Sequence, residues 1–221
     1  MRFLIPFKKY TLDDLPTHPV NVSQLRHTTR ILIVDDEPFY NEAPLRAIGF
    51  NLTVKNKWDN ITDAEPFHII VSDNRGVASS FSSAAEGAFV LNQIHKNYPQ
   101  KGCIIYSRSA IDFSHTPLLR GIKQMKKNDD SSEWEEVLSE TINEIYDPKS
   151  IWLKIESYLE EQNISRKILR NIENTYVRAL LKGNGANIEW SRQDWDLSSE
   201  AINLVTEFFK LATTALGVLG A

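Results

Sequence analysis

The sequence predicts an α/β fold, a parallel sheet with helices on both faces, followed by an α-helical C-terminal region. Three observations predict it. Dense aliphatic runs such as "ILIV" at 31–34 recur between residues 30 and 125, and a run this apolar reads as a strand buried on both faces, as in a parallel sheet. Segments with helical patterning lie between those runs, and strands that alternate with helices form parallel sheets. Beyond about residue 130 the runs stop and one amphipathic helical pattern follows another.

The first 29 residues read as an N-terminal extension. "MRFLIPF" suits a short strand, and "LPTHPVNVSQLRHTTR", with two prolines, reads as loop. The first strand is 31–34. Pro38 suits the first turn of a helix that closes near Gly49. Further strands are expected around 50–54 ("FNLTV"), 68–72 ("HIIVS"), 103–106 ("CIIY") and 121–125 ("GIKQM"). "SAAEGAFVLNQIHKNYP" is helical, with Phe89, Val90, Leu91 and Ile94 apolar and a proline stop. The intervals after "FNLTV" and after "YSRSA" are weak as helices.

Trp134, Val137, Leu138, Thr141, Ile142 and Ile145 fall on one helical stripe. Asp147 then suits an N-cap and Pro148 the first helical position. Amphipathic helices are expected at 148–162 and 164–182, and the second carries Arg166, Arg170, Arg178 and Lys182, read as a solvated face. "KGNGANIEWSRQDWD", with Gly183 and Gly185, reads as loop. A last helix from near Ser198 sets Ala201, Leu204, Val205, Phe208, Phe209 and Ala212 on one side. The expected division is an extension over 1–29, an α/β domain over 30–147 and a helical region over 148–221.

The net charge of −4 hides an asymmetry. Residues 1–128 carry 16 Lys and Arg against 12 Asp and Glu, a net of +4, whereas 129–221 carry 9 against 17, a net of −8. An acidic C-terminal region is poor material for neutralising phosphates, which argues against nucleic acid as a partner. Cys103 is the single cysteine, which excludes an internal disulfide framework and fits a reducing compartment, so a cytoplasmic protein is expected. No apolar stretch of about 18 residues is present to span a bilayer.

"ILIVDDEPFY" spends two adjacent carboxylates, Asp35 and Asp36, where its aliphatic run stops. Such a pair is self-repelling and costly to desolvate, so a cation, a metal or open solvent must compensate it. Ligands of open parallel sheets sit outside the carboxyl ends of the strands. There the third predicted strand ends in Asp73, the fourth in Ser107, and the segment after it in Lys126 and Lys127. Three converging carboxylates suit a hard cation such as Mg²⁺, and a hydroxyl and an ammonium suit phosphoryl oxygens.

That order of residues resembles the receiver domain of bacterial two-component response regulators over about residues 30–147. The resemblance implies a five-stranded α/β sheet of flavodoxin-like order. It implies a signalling role without enzymatic output, in which a histidine kinase or phosphotransfer protein phosphorylates the chain on Asp73. It further implies Mg²⁺ held by Asp35, Asp36 and Asp73, and Ser107 as the hydroxyl that follows the phosphoryl group. The site lysine would be Lys126, or Lys127 if the fifth strand is shifted by one. The helical region would then regulate a downstream protein partner, with homodimerisation through the C-terminal helices as one mode.

The sequence departs from the family's pattern in four places. A long Ser-rich stretch, "DNRGVASSFSSAAEG", follows Asp73. Arg75 stands beside the acids, where its guanidinium would compete with a metal. Counted from Lys126, the positions of the family's aromatic and proline hold Gln124 and Lys127. The interval between the acidic pair and Asp73 is short, so one helix is expected to shrink. These departures favour an alternative reading, a pseudo-receiver that binds proteins without phosphorylation. A phosphohydrolase of the haloacid dehalogenase type is disfavoured, because it needs an Asp two residues after its nucleophile and Asp35 is followed there by Glu37.

Overall fold

The computed structural model of this protein describes residues 9–15, 20–81, 84–108, 113–182 and 197–219. The strand expected at "MRFLIPF" and most of the loop expected at 182–196 lie outside the described residues. The chain divides into two compact units, residues 21–145 and residues 1–20 with 146–221. The first 29 residues are thus shared between both units.

In the first unit, five parallel strands are ordered β2-β1-β3-β4-β5. They are β1 (Arg30–Val34), β2 (Asn51–Lys55), β3 (Ile69–Asp73), β4 (Gly102–Ser107) and β5 (Lys123–Lys126). β3 and β4 are buried at every residue, as the dense aliphatic runs require.

Side-chain alternation splits the sheet into two faces. Leu32, Val34, Ile70, Cys103 and Ile105 pack with Leu91 and Ile94 of α3 (Glu86–Asn97) and with Trp58. The opposite set includes Ile33, Val71 and Tyr106, and it lies on the side of α4 (Ser131–Tyr146), whose Trp134 rings against Tyr106 and Phe39. Thr141 packs so close to Gly102 that a Cβ there would collide with it.

Two expectations about helices are corrected. The presumed loop before β1 contains α1 (Val22–Thr28), capped by the Asn21 side chain, with Leu25 fully buried. Two prolines upstream had masked a seven-residue helix that starts just past them. The helix expected to begin at Pro38 begins instead as α2 at Glu42 and ends at Ala47. Phe39, buried against Tyr106 and Trp134, holds the intervening residues against the sheet instead. The two weak intervals are 3-10 turns, Ile61–Ala64 and Phe113–Leu119, in place of full α-helices.

The second unit is helical: α5 (Pro148–Glu161), α6 (Arg166–Leu181) and α7 (Ser199–Leu219). Asp147 caps α5 through the Ser150 N–H and Pro148 opens it, as expected. Trp152, Tyr176 and Phe209 are neighbouring rings in its core, the first pair tilted and the second edge to face. A 3-10 turn at Leu12–Asp14 belongs to this unit. The N–H of Tyr10 donates to Asn174 Oδ1, that of Leu12 to Glu173, and Leu15 is buried in the helical core. Arg166, Arg170, Arg178 and Lys182 are all exposed.

Candidate functional site

The site is built at the carboxyl edge of the sheet, from the ends of β1, β3 and β4 and the residue after β5. β1 carries Asp35 past its last residue, and the Asp35 N–H donates to Lys55 O, extending the ladder with β2 by one bond. Asp35 is 1% exposed. Its Oδ1 accepts from the Glu37 N–H (2.9 Å) and from Lys127 Nζ (2.9 Å), and its Oδ2 accepts from the Tyr106 hydroxyl (2.6 Å). A buried carboxylate needs this many donors.

Asp73 ends β3 and pairs in register with Tyr106. Its Oδ2 accepts from Lys127 Nζ at 2.7 Å. Behind it Trp58 Nε1 donates to Ser72 Oγ (3.1 Å), whose own hydroxyl donates to the Asp73 carbonyl (2.9 Å). Burial pushes the Asp73 carboxyl above its ordinary value, the hydrogen bond and charge of Lys127 pull it back, and the negative charge of Asp35 adds to the rise.

Lys127 is the cation at the centre. Its backbone N–H donates to Ser107 O, which continues the β4–β5 ladder one residue past β5 and fixes where the side chain starts. Its ammonium reaches Asp35, Asp73 and, at 3.1 Å, Glu37 Oε2. Its side chain is 7% exposed. Burial alone would lower its affinity for the proton, but hydrogen bonds to Asp73, Asp35 and Glu37 hold it above the ordinary lysine value. Lys126, by contrast, is exposed and pairs in register with Ser107 as the last residue of β5. Of the two lysines the sequence left open, the structure therefore brings Lys127 to the acids. Side chains alternate along β5, so the positions either side of a strand end point apart.

One oxygen each of Asp35, Asp36 and Asp73 lies within 4.8 Å of the others. Asp36 is exposed. The loop after β3 approaches it closely: at Gly76, with φ +78, a Cβ would collide with the Asp36 carboxylate. That left-handed backbone conformation favours glycine. At Gly87 a Cβ would strike the Asp73 carbonyl oxygen, so glycine also lets α3 lie against the end of β3. The Ser-rich loop is held from below, with Val77 and Ala78 buried, the Trp58 N–H donating to Val77 O (2.7 Å) and Ser80 donating to Trp58 O (3.1 Å).

Arg75 does not pair its side chain with the three carboxylates. Its side chain is exposed, and only its backbone N–H faces Asp73, at 3.5 Å. It lines a cavity of about 390 Å³ with Asn74, Ala84, Glu86 and His115. Ser107 is buried at the end of β4.

Sequence reasoning missed Tyr106, Glu37 and Arg108. Tyr106 belongs to the apolar run of β4, and its register with Asp73 puts both on one face of the sheet. Burial pushes its hydroxyl far above the ordinary phenol value, and the bond to Asp35 adds to this, so it stays protonated and donates to Asp35. Counted from Lys127, the family's aromatic and proline positions hold Met125 and Asn128. The aromatic of this site stands on β4 instead.

No family model matches the chain, and none of the curated proteins does. Among solved structures it is similar to a CheY-like response regulator receiver domain protein from Methanospirillum hungatei JF-1, with 19% identity over 53% of this chain and 95% of that one, at a TM-score of 0.44. It is also similar to the chemotaxis protein CheY4 of Vibrio cholerae, with 12% identity over 51% and 98% and a TM-score of 0.42. A third is the beryllofluoride-activated NtrC4 receiver domain dimer, with 17% identity over 52% and 98% and a TM-score of 0.41.

Proposed function

We propose, from the receiver fold of residues 21–145 and the acids gathered at its sheet edge, that this chain is a response-regulator-like signalling protein phosphorylated on Asp73. The observation that carries the reading is Lys127 Nζ bonded at once to Asp35 and Asp73 beside the exposed Asp36. Three acids, Asp35, Asp73 and Glu37, share that one buried cation with Asp36 beside them, so the edge retains negative charge that favours a further cation. The donors are all carboxylate oxygens, which fits a hard ion, and Asp35, Asp36 and Asp73 would hold Mg²⁺. When bound, the ion neutralises charge on the acids and on phosphoryl oxygens.

The residues of the chain do the rest. An Asp73 carboxylate oxygen attacks the phosphorus of a phosphohistidine donor. The O–P bond forms, the P–N bond breaks, and the imidazole nitrogen leaves with the electron pair and takes up a proton. Lys127 stabilises the charge that develops on the transferred group. Tyr106 and the Glu37 N–H hold Asp35 in orientation. The Ser107 hydroxyl is the group proposed to follow the phosphoryl group once it is in place. The donor is a histidine kinase or phosphotransfer protein in the cytoplasm, and the role is signalling rather than enzymatic. The helical unit, with Leu153 and Leu181 exposed, is proposed to contact a downstream protein or a second copy of the chain.

The alternative, a phosphorylation-independent pseudo-receiver, is favoured by one fact: Lys127 already compensates Asp35 and Asp73 without a metal. Incubation with acetyl phosphate and Mg²⁺, read by intact mass, separates the two. The expected result is one phosphoryl adduct in wild type and none in Asp73→Asn. No adduct in wild type, or the same adduct in the variant, moves the chain to the pseudo-receiver reading.

A further inference from the structure

We propose that Arg108 is a second cation for the transferred phosphoryl group, and that Glu37 keeps its seat until the group arrives. This rests on the reading of Asp73 as the acceptor and adds to it a binding residue and an internal competitor.

The geometry is specific. A single carboxylate oxygen, Glu37 Oε2, lies 2.6 Å from Arg108 Nη2 and 3.1 Å from Lys127 Nζ. The same Nζ is 2.7 Å from Asp73 Oδ2. An anionic oxygen therefore already sits between two cations, one of which is bonded to the acceptor carboxylate. That is the environment a phosphoryl oxygen requires, since arginine and lysine bind such oxygens through charge-assisted hydrogen bonds. Arg108 follows Ser107 directly at the end of β4, so strand geometry fixes the start of its side chain at the mouth of the site.

Strength decides whether the seat can be exchanged. The Arg108 and Glu37 side chains are 58% and 42% exposed, and an ion pair so open to water holds weakly. Lys127 is 7% exposed and stays bound to Asp35 and Asp73. The Glu37 contact is the one that gives way. A phosphoryl group on Asp73 brings more negative charge than one carboxylate and takes over both cations. Glu37 swings out to solvent, which it already partly faces. The ligand class is thus a phosphoryl group or a trigonal anionic mimic of it.

Beryllofluoride, the activator named for the NtrC4 receiver domain dimer, is the probe, used with Mg²⁺ in solution. Its affinity for the full chain is measured by titration calorimetry in wild type, Arg108→Gln, Arg108→Lys and Glu37→Gln, beside the affinity for Mg²⁺ alone. Loss of one charge-assisted bond should weaken beryllofluoride about tenfold in Arg108→Gln, with Arg108→Lys recovering part of it and Mg²⁺ affinity unchanged. Glu37→Gln should bind the mimic about tenfold more tightly. Losing an acid cannot strengthen the metal site, so that gain would come from the freed cations. Equal binding by wild type and Arg108→Gln overturns the proposal alone, and so does a parallel loss of Mg²⁺ affinity. Glu37→Gln binding no tighter than wild type overturns the competitor role. A wild type that binds Mg²⁺ but no beryllofluoride overturns the acceptor reading and this proposal with it.

Discussion

Lys127 and its neighbour Lys126 differ by one position and carry opposite energetic weight. Lys127 is buried against three carboxylates, and Asp35 beneath it has a side chain 0% exposed. Removing the cation leaves a buried charge with too few partners, which costs far more than an exposed ion pair contributes. Lys127→Met should lower stability by about 3 kcal/mol at neutral pH. Lys126→Met should stay within about 0.5 kcal/mol of wild type. Denaturant midpoints of the two variants decide it, and equal losses would contradict the geometry. Added Mg²⁺ should restore part of what Lys127→Met loses, because it replaces the missing charge. The acids were legible as strand ends. The choice of lysine was not, because a one-residue shift of a strand end turns every side chain over.

At the scale of the elements, the sheet is seamed at its other end by His68. The Arg30 N–H donates to His68 Nδ1 at 3.0 Å, just where β1 and β3 begin to pair. That bond requires the neutral imidazole. Burial, with the charges of Arg30 and Lys101, lowers the His68 pKa from 6.5 to about 4. The folded protein therefore refuses a proton that the unfolded chain accepts. The contribution is complete above pH 6.5 and is lost as pH falls towards about 4. Urea unfolding at about pH 7.5 and about pH 4.5 should show this loss, and His68→Asn, which keeps an acceptor but does not titrate there, should show less of it. An unchanged pH slope in the variant would assign the loss to other groups. The elements themselves were legible to differing degrees. β1, β3 and β4 are dense aliphatic runs, so period and composition agree. α1 and the late start of α2 were not legible, because prolines and the buried Phe39 act through tertiary packing that a local pattern does not contain.

The chain divides into two compact units, and a ligand of one should act on that one. If Asp35, Asp36 and Asp73 hold Mg²⁺, a concentration a hundredfold above the dissociation constant adds about 2.7 kcal/mol to the sheet unit. Its melting transition should rise by several degrees, and Asp36→Asn should abolish the rise. Leu15→Ala, which opens a cavity in the helical core, should cost that unit about 2–5 kcal/mol and leave the Mg²⁺ response intact. Scanning calorimetry of the full chain measures both. A flat response to tens of millimolar Mg²⁺ would favour the pseudo-receiver reading.

By itself the sequence determined the class of the fold and the residues that could act. Burial on both faces demands "ILIV", "IIV" and "CIIY", and amphipathic spacing demands the helices after Ser131. Asp35, Asp36, Asp73 and Ser107 were legible because open parallel sheets present their strand ends at one edge. Only the tertiary structure decided which groups meet there. Lys127, Glu37 and the pair Tyr106 and Arg108 come from three places in the chain, and the last residues of separate strands converge only once register and twist are set. Residues 9–15 likewise carry no helical-unit pattern of their own. Their place follows from hydrogen bonds to Asn174 and Glu173, contacts 161 residues or more away in the chain, which no local propensity encodes.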